Sequence, residues 1–347
     1  MPCASTRADS PVSDRPAQAL LLEVEDLKTY FHTDAGIVRA VNGVTLHIRE
    51  GETLAIVGES GSGKSVTGLT IMRLLGRTPG RVEGGKIRFR ERSGKTVDFL
   101  SLTDAEMARI RGREVAMIFQ DPMSSLNPVF SIGEQIAEPI RIHRNASRKQ
   151  AAKEAVELLR QVGIADPEIR VDSYPHQLSG GMRQRAMIAI ALACDPRLLI
   201  ADEPTTALDV TIQAQITGLL RRLQKERNMA MIFVTHDLKL VEEIADQVAV
   251  MYASQIVEQG PAAAVLAHPR HPYTRALLDC TPRGAGRTRR LSPIPGALPS
   301  PLAQPPGCRF HPRCRFSDPR CETGEPKLET VGPGHVARCL RWQEITL

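Results

Sequence analysis

The stretch that decides the fold of this chain reads, over residues 58–65, Gly58-Glu59-Ser60-Gly61-Ser62-Gly63-Lys64-Ser65. It follows an apolar run at residues 54–57, which predicts a strand, and it precedes a helix-like pattern at residues 66–75. A glycine-rich turn between a strand and a helix presents backbone N–H groups to phosphate oxygens, and the helix dipole adds to the attraction. The stretch therefore predicts a phosphate-binding loop.

Each part of this loop has a predicted task. Lys64 can reach the β- and γ-phosphates of a nucleotide, and the Ser65 hydroxyl can bind Mg²⁺. The other predicted nucleotide-binding residues are Gly58, Ser60, Gly61, Ser62, Gly63 and Thr67. A nucleotide site does not by itself define a function, so the rest of the chain has to decide it.

Composition limits the classes of protein that the chain can represent. The 347 residues are 42% hydrophobic and carry a net charge of +6, and no stretch approaches the roughly 20 apolar residues that span a bilayer. Residues 1–19 lack the apolar core of a secretory signal and indicate a disordered leader of a cytosolic protein. The basic residues are scattered and not interleaved with aromatic residues, so we expect no nucleic-acid partner.

The first third of the chain is rich in strand patterns. Alternating residues at 21–27 and 38–48 predict an antiparallel sheet that leads into the loop strand, and residues 86–89 and 97–100 predict a hairpin. Tyr30 and Phe31 follow the first of these runs. An aromatic residue there can belong to the core or stack on a nucleotide base, and we favour Phe31 for stacking.

Polar residues end three predicted strands, at residues 114–119, 198–203 and 229–235. Gln120 can contact both Mg²⁺ and the attacking water, although a surface position explains it equally well. Asp202 and Glu203 are adjacent carboxylates, which suggests a Mg²⁺ ligand followed by a base for water. His236 can hold the γ-phosphate or the water, or be structural.

A second predicted anion site lies at the start of an apolar helix at residues 186–194. Ser179, Gly180 and Gly181 offer a hydroxyl and free N–H groups at the positive end of a helix dipole. A plain helix cap explains the same residues. The segment before it, residues 121–180, is helical and amphipathic, which predicts a helical subdomain inserted into an α/β chain.

In this order the motifs resemble the ATP-binding cassette ATPase over residues 20–265. The resemblance implies an α/β P-loop nucleotidase core with an antiparallel β-subdomain and an inserted helical subdomain. It also implies that Gln120 is the Q-loop residue, that residues 179–181 are the signature, that Glu203 is the catalytic carboxylate, and that His236 is the switch histidine. The ligand set would be ATP with Mg²⁺, the ion being held by Ser65, Gln120 and Asp202.

The resemblance extends to a subfamily. Asn127-Pro128, residues 271–278 and a proline-rich, cysteine-bearing tail are similar to ATPase subunits of bacterial oligopeptide and dipeptide importers. Nickel and glutathione importers share this subfamily. Two alternatives belong to other classes: a soluble cassette ATPase acting on nucleic acid lacks its second cassette or coiled coil here, and a small-molecule kinase leaves the signature and His236 without a role.

The resemblance also implies partners and location. Two cassettes face head to tail, so each signature covers the nucleotide on the other subunit's phosphate loop. The second ATPase subunit is a copy or, more in keeping with the family, a related chain. Two transmembrane permease subunits and an extracytoplasmic solute-binding protein complete the assembly, which places this chain on the cytoplasmic face of the bacterial inner membrane as a peripheral subunit.

The C-terminal extension, residues 266–347, carries a separate site. Residues 293–307 are proline-rich and predict an extended connector to Cys308, Cys314, Cys321 and Cys339. This spacing leaves Zn²⁺ and an iron-sulfur cluster open, with free thiols as a third reading. Resemblance to peptide-importer ATPases with similar tails implies a [4Fe-4S] cluster of structural or regulatory role, with Cys3, Cys194 and Cys280 uninvolved.

Overall fold

The computed structural model describes residues 19–76, 78–206, 208–281 and 293–347. The predicted leader, except for residue 19, and Cys3 lie outside the described residues. In chain order the strands are β1 (Leu20–Thr33), β2 (Gly36–Arg49), β3 (Thr53–Val57), β4 (Gly80–Arg90), β5 (Thr96–Asp98), β6 (Val115–Ile118), β7 (Leu198–Asp202), β8 (Ala230–Thr235), β9 (Gln247–Tyr252), β10 (Gln255–Pro261), β11 (Glu329–Gly332) and β12 (His335–Ala337).

Helices connect the strands on both sides. In chain order they are α1 (Lys64–Ile71), α2 (Asp104–Ile110), α3 (Pro122–Ser125), α4 (Ile132–Arg144), α5 (Arg148–Gln161), α6 (Pro167–Arg170), α7 (Gly180–Leu192), α8 (Val210–Glu226), α9 (Leu238–Ile244), α10 (Ala262–Ala267), α11 (Pro272–Asp279) and α12 (Pro319–Thr323). Short 3₁₀ turns occupy Phe99–Ser101, Pro175–Gln177 and His311–Arg313. In the part of the chain that the structure describes, no helix combines the length and apolar character needed to cross a membrane.

An antiparallel sheet of order β2-β1-β4-β5 forms one layer. The predicted strands at residues 21–27 and 38–48 are confirmed, but both are longer and meet at a tight turn between Thr33 and Gly36. Most of the extra residues are exposed or half-buried and several are polar, so they lack the apolar alternation by which a strand is recognised. In the predicted hairpin β4 is longer than expected, whereas β5 ends at Asp98, because Asp98 caps a 3₁₀ turn by accepting from Leu100 N at 3.1 Å.

The second sheet has the order β11-β12-β10-β9-β3-β8-β7-β6, and its five strands from β9 to β6 run parallel. Their register pairs Val57 with Thr235, Asp202 with Val234, and Ile118 with Ala201. The residues that follow these strands therefore emerge at one edge. This is the reason that the phosphate loop, Gln120, Glu203 and His236 meet.

The side chains of β3 divide between two cores. Leu54 and Ile56 pack with the inner face of the antiparallel sheet, including Leu22 and Val24. The alternate side chains pack with β9, β10 and the C-terminal residues, among them Tyr273 and Phe310. The helical segment α4 to α7 covers another part of the same sheet through a third apolar cluster.

The C-terminal residues extend the main sheet. Strand β12 pairs with β10, with Glu258 opposite Ala337, and β11 pairs with β12. The fully buried Glu258 carboxylate accepts from the backbone N of Arg270 at 2.6 Å and of His271 at 3.0 Å, and it lies 2.7 Å from His335 Nε2. Charge-assisted contacts of this kind fix the tail to the sheet.

Candidate nucleotide site

The predicted phosphate loop passes close to neighbouring backbone on two sides. Gly58 and Gly63 have φ of 155° and 107°, and Gly63 is the N-cap of α1. A Cβ on Gly58 would lie 2.1 Å from Met251 O, and one on Gly63 would lie 2.3 Å from Ala40 O. Only glycine fits at these two positions, so the sequence motif reflects close approach as well as backbone freedom.

Lys64 is held underneath the loop. Its side chain is 4% exposed, and its Nζ donates to the carbonyl oxygens of Gly58 at 2.9 Å and Glu59 at 3.0 Å. The nearest carboxylate atom, Glu203 Oε1, is 3.9 Å away. Burial lowers the pKa of Lys64, and the neighbouring carboxylates oppose that shift. Phosphate oxygens can replace the two carbonyls as stronger partners of the ammonium group.

Ser65 and Asp202 face each other as predicted Mg²⁺ ligands. The Ser65 hydroxyl donates to Asp202 Oδ1 at 2.9 Å, and Asp202 is buried. Burial raises the pKa of Asp202, while the hydrogen bond from Ser65 opposes this. Mg²⁺ is usually bound by one or two protein oxygens together with phosphates and waters, so this hydroxyl and carboxylate fit the ion that accompanies a nucleotide.

Glu203 is the centre of a polar cluster at the sheet edge. Its Oε2 accepts from Gln120 Nε2 at 3.2 Å and from the Thr206 hydroxyl at 2.9 Å, and it lies 3.5 Å from His236 Nδ1. The Glu203 side chain is 12% exposed, whereas His236 is 63% exposed. The structure thus brings Gln120, Glu203 and His236 together, in an arrangement suited to proton abstraction from water.

The backbone of Glu203 adopts an unusual conformation. Its φ is 43°, in the left-handed region, and its N–H donates to Val234 O at 3.0 Å. Non-glycine residues with this conformation are uncommon and cluster at functional sites. The turn directs the Glu203 side chain toward Gln120 and His236 at the point where β7 ends.

The predicted signature residues contact their own helix and the start of α8. Ser179 caps α7 by accepting from Met182 N at 3.4 Å, and both Ser179 and Gly180 are exposed. A Cβ on Gly181 would lie 3.2 Å from Ile212, at the start of α8. The helix N-terminus is therefore open to an anion presented from outside the chain.

Two further residues that we predict to bind nucleotide stabilise the phosphate loop from its buried side. Thr67 and Ser62 are fully buried. The Thr67 hydroxyl donates to Gly63 O at 2.9 Å, and Ser62 O accepts from Ser254 N at 2.9 Å. Both residues therefore hold the loop in place, and their contact with nucleotide stays a prediction.

The ring of Phe31 packs on the neighbouring strand. A Cβ on Gly80 would lie 2.8 Å from Phe31 Cε1, so the ring fills the space that glycine leaves on β4. The adjacent Tyr30 donates its hydroxyl to Asn42 Oδ1 at 2.9 Å. Stacking of Phe31 on a nucleotide base stays a prediction.

The four C-terminal cysteines line one cavity. Burial raises the pKa of Cys308 to about 11 and that of Cys339 to about 12, and neighbouring cysteines contribute to both shifts. Cys308 N also donates to Cys321 O at 2.9 Å. Among the described residues, no group of three or more His, Cys, Asp or Glu side chains is arranged to hold a metal ion. The four thiols thus line one cavity, but they are not arranged as the ligands of a single metal ion would be.

Three side chains at the site were not singled out from the sequence. Thr206 contacts Glu203, and a turn residue three positions after a carboxylate could have been noticed. Tyr273 and Arg313 both contact Glu59 in the phosphate loop, at separations of 214 and 254 residues. No local pattern could have indicated those two contacts.

This fold and this cluster define a P-loop nucleotide hydrolase. The family model of ABC transporters matches residues 41–206, and the model of the oligopeptide/dipeptide transporter C-terminal region matches residues 257–321. A protein of Brucella abortus (strain 2308), named as a peptide import ATP-binding protein, is 54% identical over 331 residues, which cover 94% of this chain and 98% of the relative. The chain belongs to the ATPase subunits of the ATP-binding cassette transporter family.

Other relatives agree with this assignment. The oligopeptide transport ATP-binding protein AppD of Bacillus subtilis (strain 168) is 49% identical, with 93% of this chain and 97% of that protein covered. The ATP-binding cassette MJ0796, solved as a dimer in a post-hydrolysis state bound to ADP and Pi, is similar with a TM-score of 0.61 and 27% identity, over 70% of this chain and 99% of that chain. The predicted fold class is thereby confirmed for the cassette.

Proposed function

We propose that this chain is the ATP-hydrolysing subunit that energises an ABC importer for dipeptides or oligopeptides. The observation that carries the proposal is the Glu203 cluster beside the phosphate loop, which is a site for hydrolysis and not for binding alone. The match of the C-terminal residues to oligopeptide/dipeptide transporters and the names of the relatives support peptides as the solute.

The residues divide the chemistry between them. Lys64 and the loop N–H groups hold the β- and γ-phosphates of ATP, with Phe31 against the base. Mg²⁺ held by Ser65, Asp202 and Gln120 would neutralise charge on the phosphate oxygens. Glu203 accepts a proton from the water whose oxygen attacks the γ-phosphorus, and ADP departs.

The other members of the Glu203 cluster orient the reactants. His236 is exposed and lies 3.5 Å from Glu203, so its other ring nitrogen can face the γ-phosphate. Gln120 donates to the same carboxylate and links it to the helical segment that begins with α3. Movement of that segment would therefore change the position of the base.

The signature at residues 179–181 acts on the nucleotide of a second cassette in a head-to-tail dimer. Its exposed helix N-terminus supports this arrangement. Two permease subunits in the bacterial inner membrane and an extracytoplasmic solute-binding protein complete the importer, and this chain is attached peripherally on the cytoplasmic side. The corresponding division is a cassette at residues 20–265, a helical subdomain at 121–180 and an extension at 266–347.

Reconstitution tests the solute. The chain is co-expressed with candidate permeases and a second ATPase, and the complex is purified and inserted into lipid vesicles. The solute-binding protein is supplied on the side of the vesicle membrane that corresponds to the extracytoplasmic side of the complex. We expect ATP-dependent movement of di- or oligopeptides. Transport of nickel or glutathione in place of peptides would assign one of those importers. A chain that stays free of permeases and binds DNA with a steep salt dependence would contradict the importer function.

The cysteine cavity extends the proposal to a [4Fe-4S] cluster held by Cys308, Cys314, Cys321 and Cys339. The four thiols surround one space, and burial raises the pKa values of Cys308, Cys314 and Cys339, a shift that ligation by a cation would reverse. Zn²⁺ is the alternative, and a single tetrahedral ion would require the four sulfurs to lie about 2.3 Å from one point. Resemblance of the tail to those of peptide-importer ATPases favours the cluster.

Metal content of the anaerobically purified chain tests this cluster. We expect brown protein with about four iron and four sulfide per chain, from the stoichiometry of the cluster. Cys321→Ser is expected to lose the colour, whereas Cys194→Ser is the matched control, because Cys194 is buried against Pro139 in another part of the fold. Colourless wild-type protein with about one zinc per chain would establish a zinc-thiolate site instead.

A further inference from the structure

Part of the C-terminal extension, residues 293–316, lies on the phosphate loop. Leu298 Cδ2 is 3.5 Å from the position that a Cβ would take on Gly61. Gln304 Nε2 donates to Ala253 O and Ser254 Oγ at 3.4 Å. The proline-rich stretch is irregular, as its composition predicts, but it is a packed part of the cassette and not only a spacer.

Arg313 makes the strongest contact in this segment. Its two terminal nitrogens donate to the two carboxylate oxygens of Glu59, at 2.7 and 2.9 Å. Its Nε donates to Pro295 O at 2.8 Å, and its side chain is 4% exposed. A two-pronged pair between guanidinium and carboxylate fixes both direction and distance.

A second contact reaches the same loop residue. The Tyr273 hydroxyl accepts from the backbone N of Glu59 at 2.9 Å. Its ring packs against Tyr252 and Phe310, with centroid distances of 4.5 and 5.4 Å, and Arg313 lies over the Tyr252 ring at 5.7 Å. Glu59 is thus held through its backbone and its side chain by one rigid aromatic cluster.

We propose that Arg313 and Tyr273 are positioning residues of the nucleotide site, which fix the phosphate loop through Glu59 in the conformation that binds ATP. The inference rests on the proposed role of the loop in ATP binding. The C-terminal extension then has a function in the nucleotide site, because it supplies part of the support for the phosphate loop.

Charge gives Arg313 a second effect. Glu59 is the second residue of the loop, and its carbonyl accepts from Lys64 Nζ at 3.0 Å. Its carboxylate is 30% exposed and adds a negative charge beside the site for a polyanion. Arg313 compensates that charge. Loss of Arg313 alone leaves the carboxylate uncompensated, whereas loss of both side chains removes the repulsion.

The fold of the extension determines where Arg313 lies. Arg313 ends the 3₁₀ turn His311–Arg313, which Cys308 O begins by accepting from His311 N at 2.9 Å. Cys314 follows directly, and its N–H donates to His311 O at 3.2 Å. Arg313 is therefore carried on the turn that joins two of the four cysteines lining the cavity.

A set of variants of the full chain tests the inference by equilibrium binding of ATP with Mg²⁺. We expect Arg313→Gln to weaken ATP affinity about tenfold, which corresponds to ~1.4 kcal/mol. Adding Glu59→Gln to it is expected to restore only part of the affinity, because this removes the uncompensated charge but does not restore the contact that positions the loop. Arg313→Lys keeps the positive charge, and its ATP affinity is expected to lie between those of Arg313→Gln and the wild-type chain. High salt should reduce the loss, since the Glu59 carboxylate is partly exposed.

Arg338→Gln is the matched control. Arg338 also belongs to the extension, and it donates to Ile256 O at 3.0 Å and Pro326 O at 2.9 Å without touching the loop. Arg338→Gln is expected to bind ATP with wild-type affinity. Its melting temperature is expected to equal that of Arg313→Gln. Wild-type affinity in Arg313→Gln, or an equal loss in Arg338→Gln, would overturn the inference, as would full recovery of ATP affinity in the double variant. Failure of the wild-type chain to bind ATP would instead contradict the proposed function.

Discussion

Glu203→Gln is expected to lower ATP hydrolysis by the assembled transporter roughly 10²–10⁴-fold, the range for loss of a general base. The amide keeps the size of the side chain and can still contact Gln120 and Thr206, which are 3.2 and 2.9 Å from Oε2. It cannot accept a proton from water at neutral pH. ATP binding should survive, so closed dimers should accumulate with ATP.

Two other variants separate chemistry from binding and from packing. Lys64→Ala is expected to lose ATP affinity itself, because it removes the ammonium group beneath the loop. Glu114→Gln is the matched control: Glu114 is a buried carboxylate at the opposite end of the sheet, and burial raises its pKa, so a neutral amide is well tolerated. Single-turnover hydrolysis and ATP binding are measured for each. Hydrolysis at the wild-type rate in Glu203→Gln would show that another group is the base.

Ser179→Arg is expected to abolish hydrolysis at the facing site while leaving ATP binding by the isolated subunit unchanged. Ser179 is exposed and caps α7, and its side chain accepts from Met182 N within its own helix. A bulky cation there blocks approach of the partner's nucleotide to the helix N-terminus. The lost cap costs about 1 kcal/mol of stability, which is too little to unfold the subunit.

Ser147→Arg controls for the lost cap. Ser147 is likewise exposed and caps α5 by accepting from Gln150 N at 3.3 Å, but it is not part of the signature. Hydrolysis by the dimer and ATP binding by the monomer are compared for the two variants. If Ser179→Arg weakened ATP binding in the isolated monomer, the signature would act on the nucleotide of its own chain.

Local patterns in the sequence determined the phosphate loop and most strands. The loop is a single stretch, and its glycines are required by short-range geometry. The residues Gln120, Glu203 and His236 were also predictable as a group, because each ends a buried strand and parallel strands share an edge. The distances between them came only from the register of β6, β7, β8 and β3.

Helix boundaries were less accurate, for a local reason. The predicted helix at residues 66–75 is shorter, because α1 ends at Ile71 and Arg73 has a φ of 51°. The predicted helix at residues 186–194 begins earlier, at Gly180, because Ser179 caps it. Apolar periodicity does not detect polar or glycine-rich first turns, which depend on capping.

Sequence motifs alone predicted that this chain binds and hydrolyses a nucleotide, since the motifs are short and their order is diagnostic. That the cysteine-bearing extension contacts the phosphate loop could be learned only from the packing of the chain. The pair Arg313–Glu59 joins residues 254 positions apart, and the pairing of β10 with β12 brings the end of the chain onto the main sheet. Contacts at such separation follow from the packing of whole elements, which no local pattern of residues records.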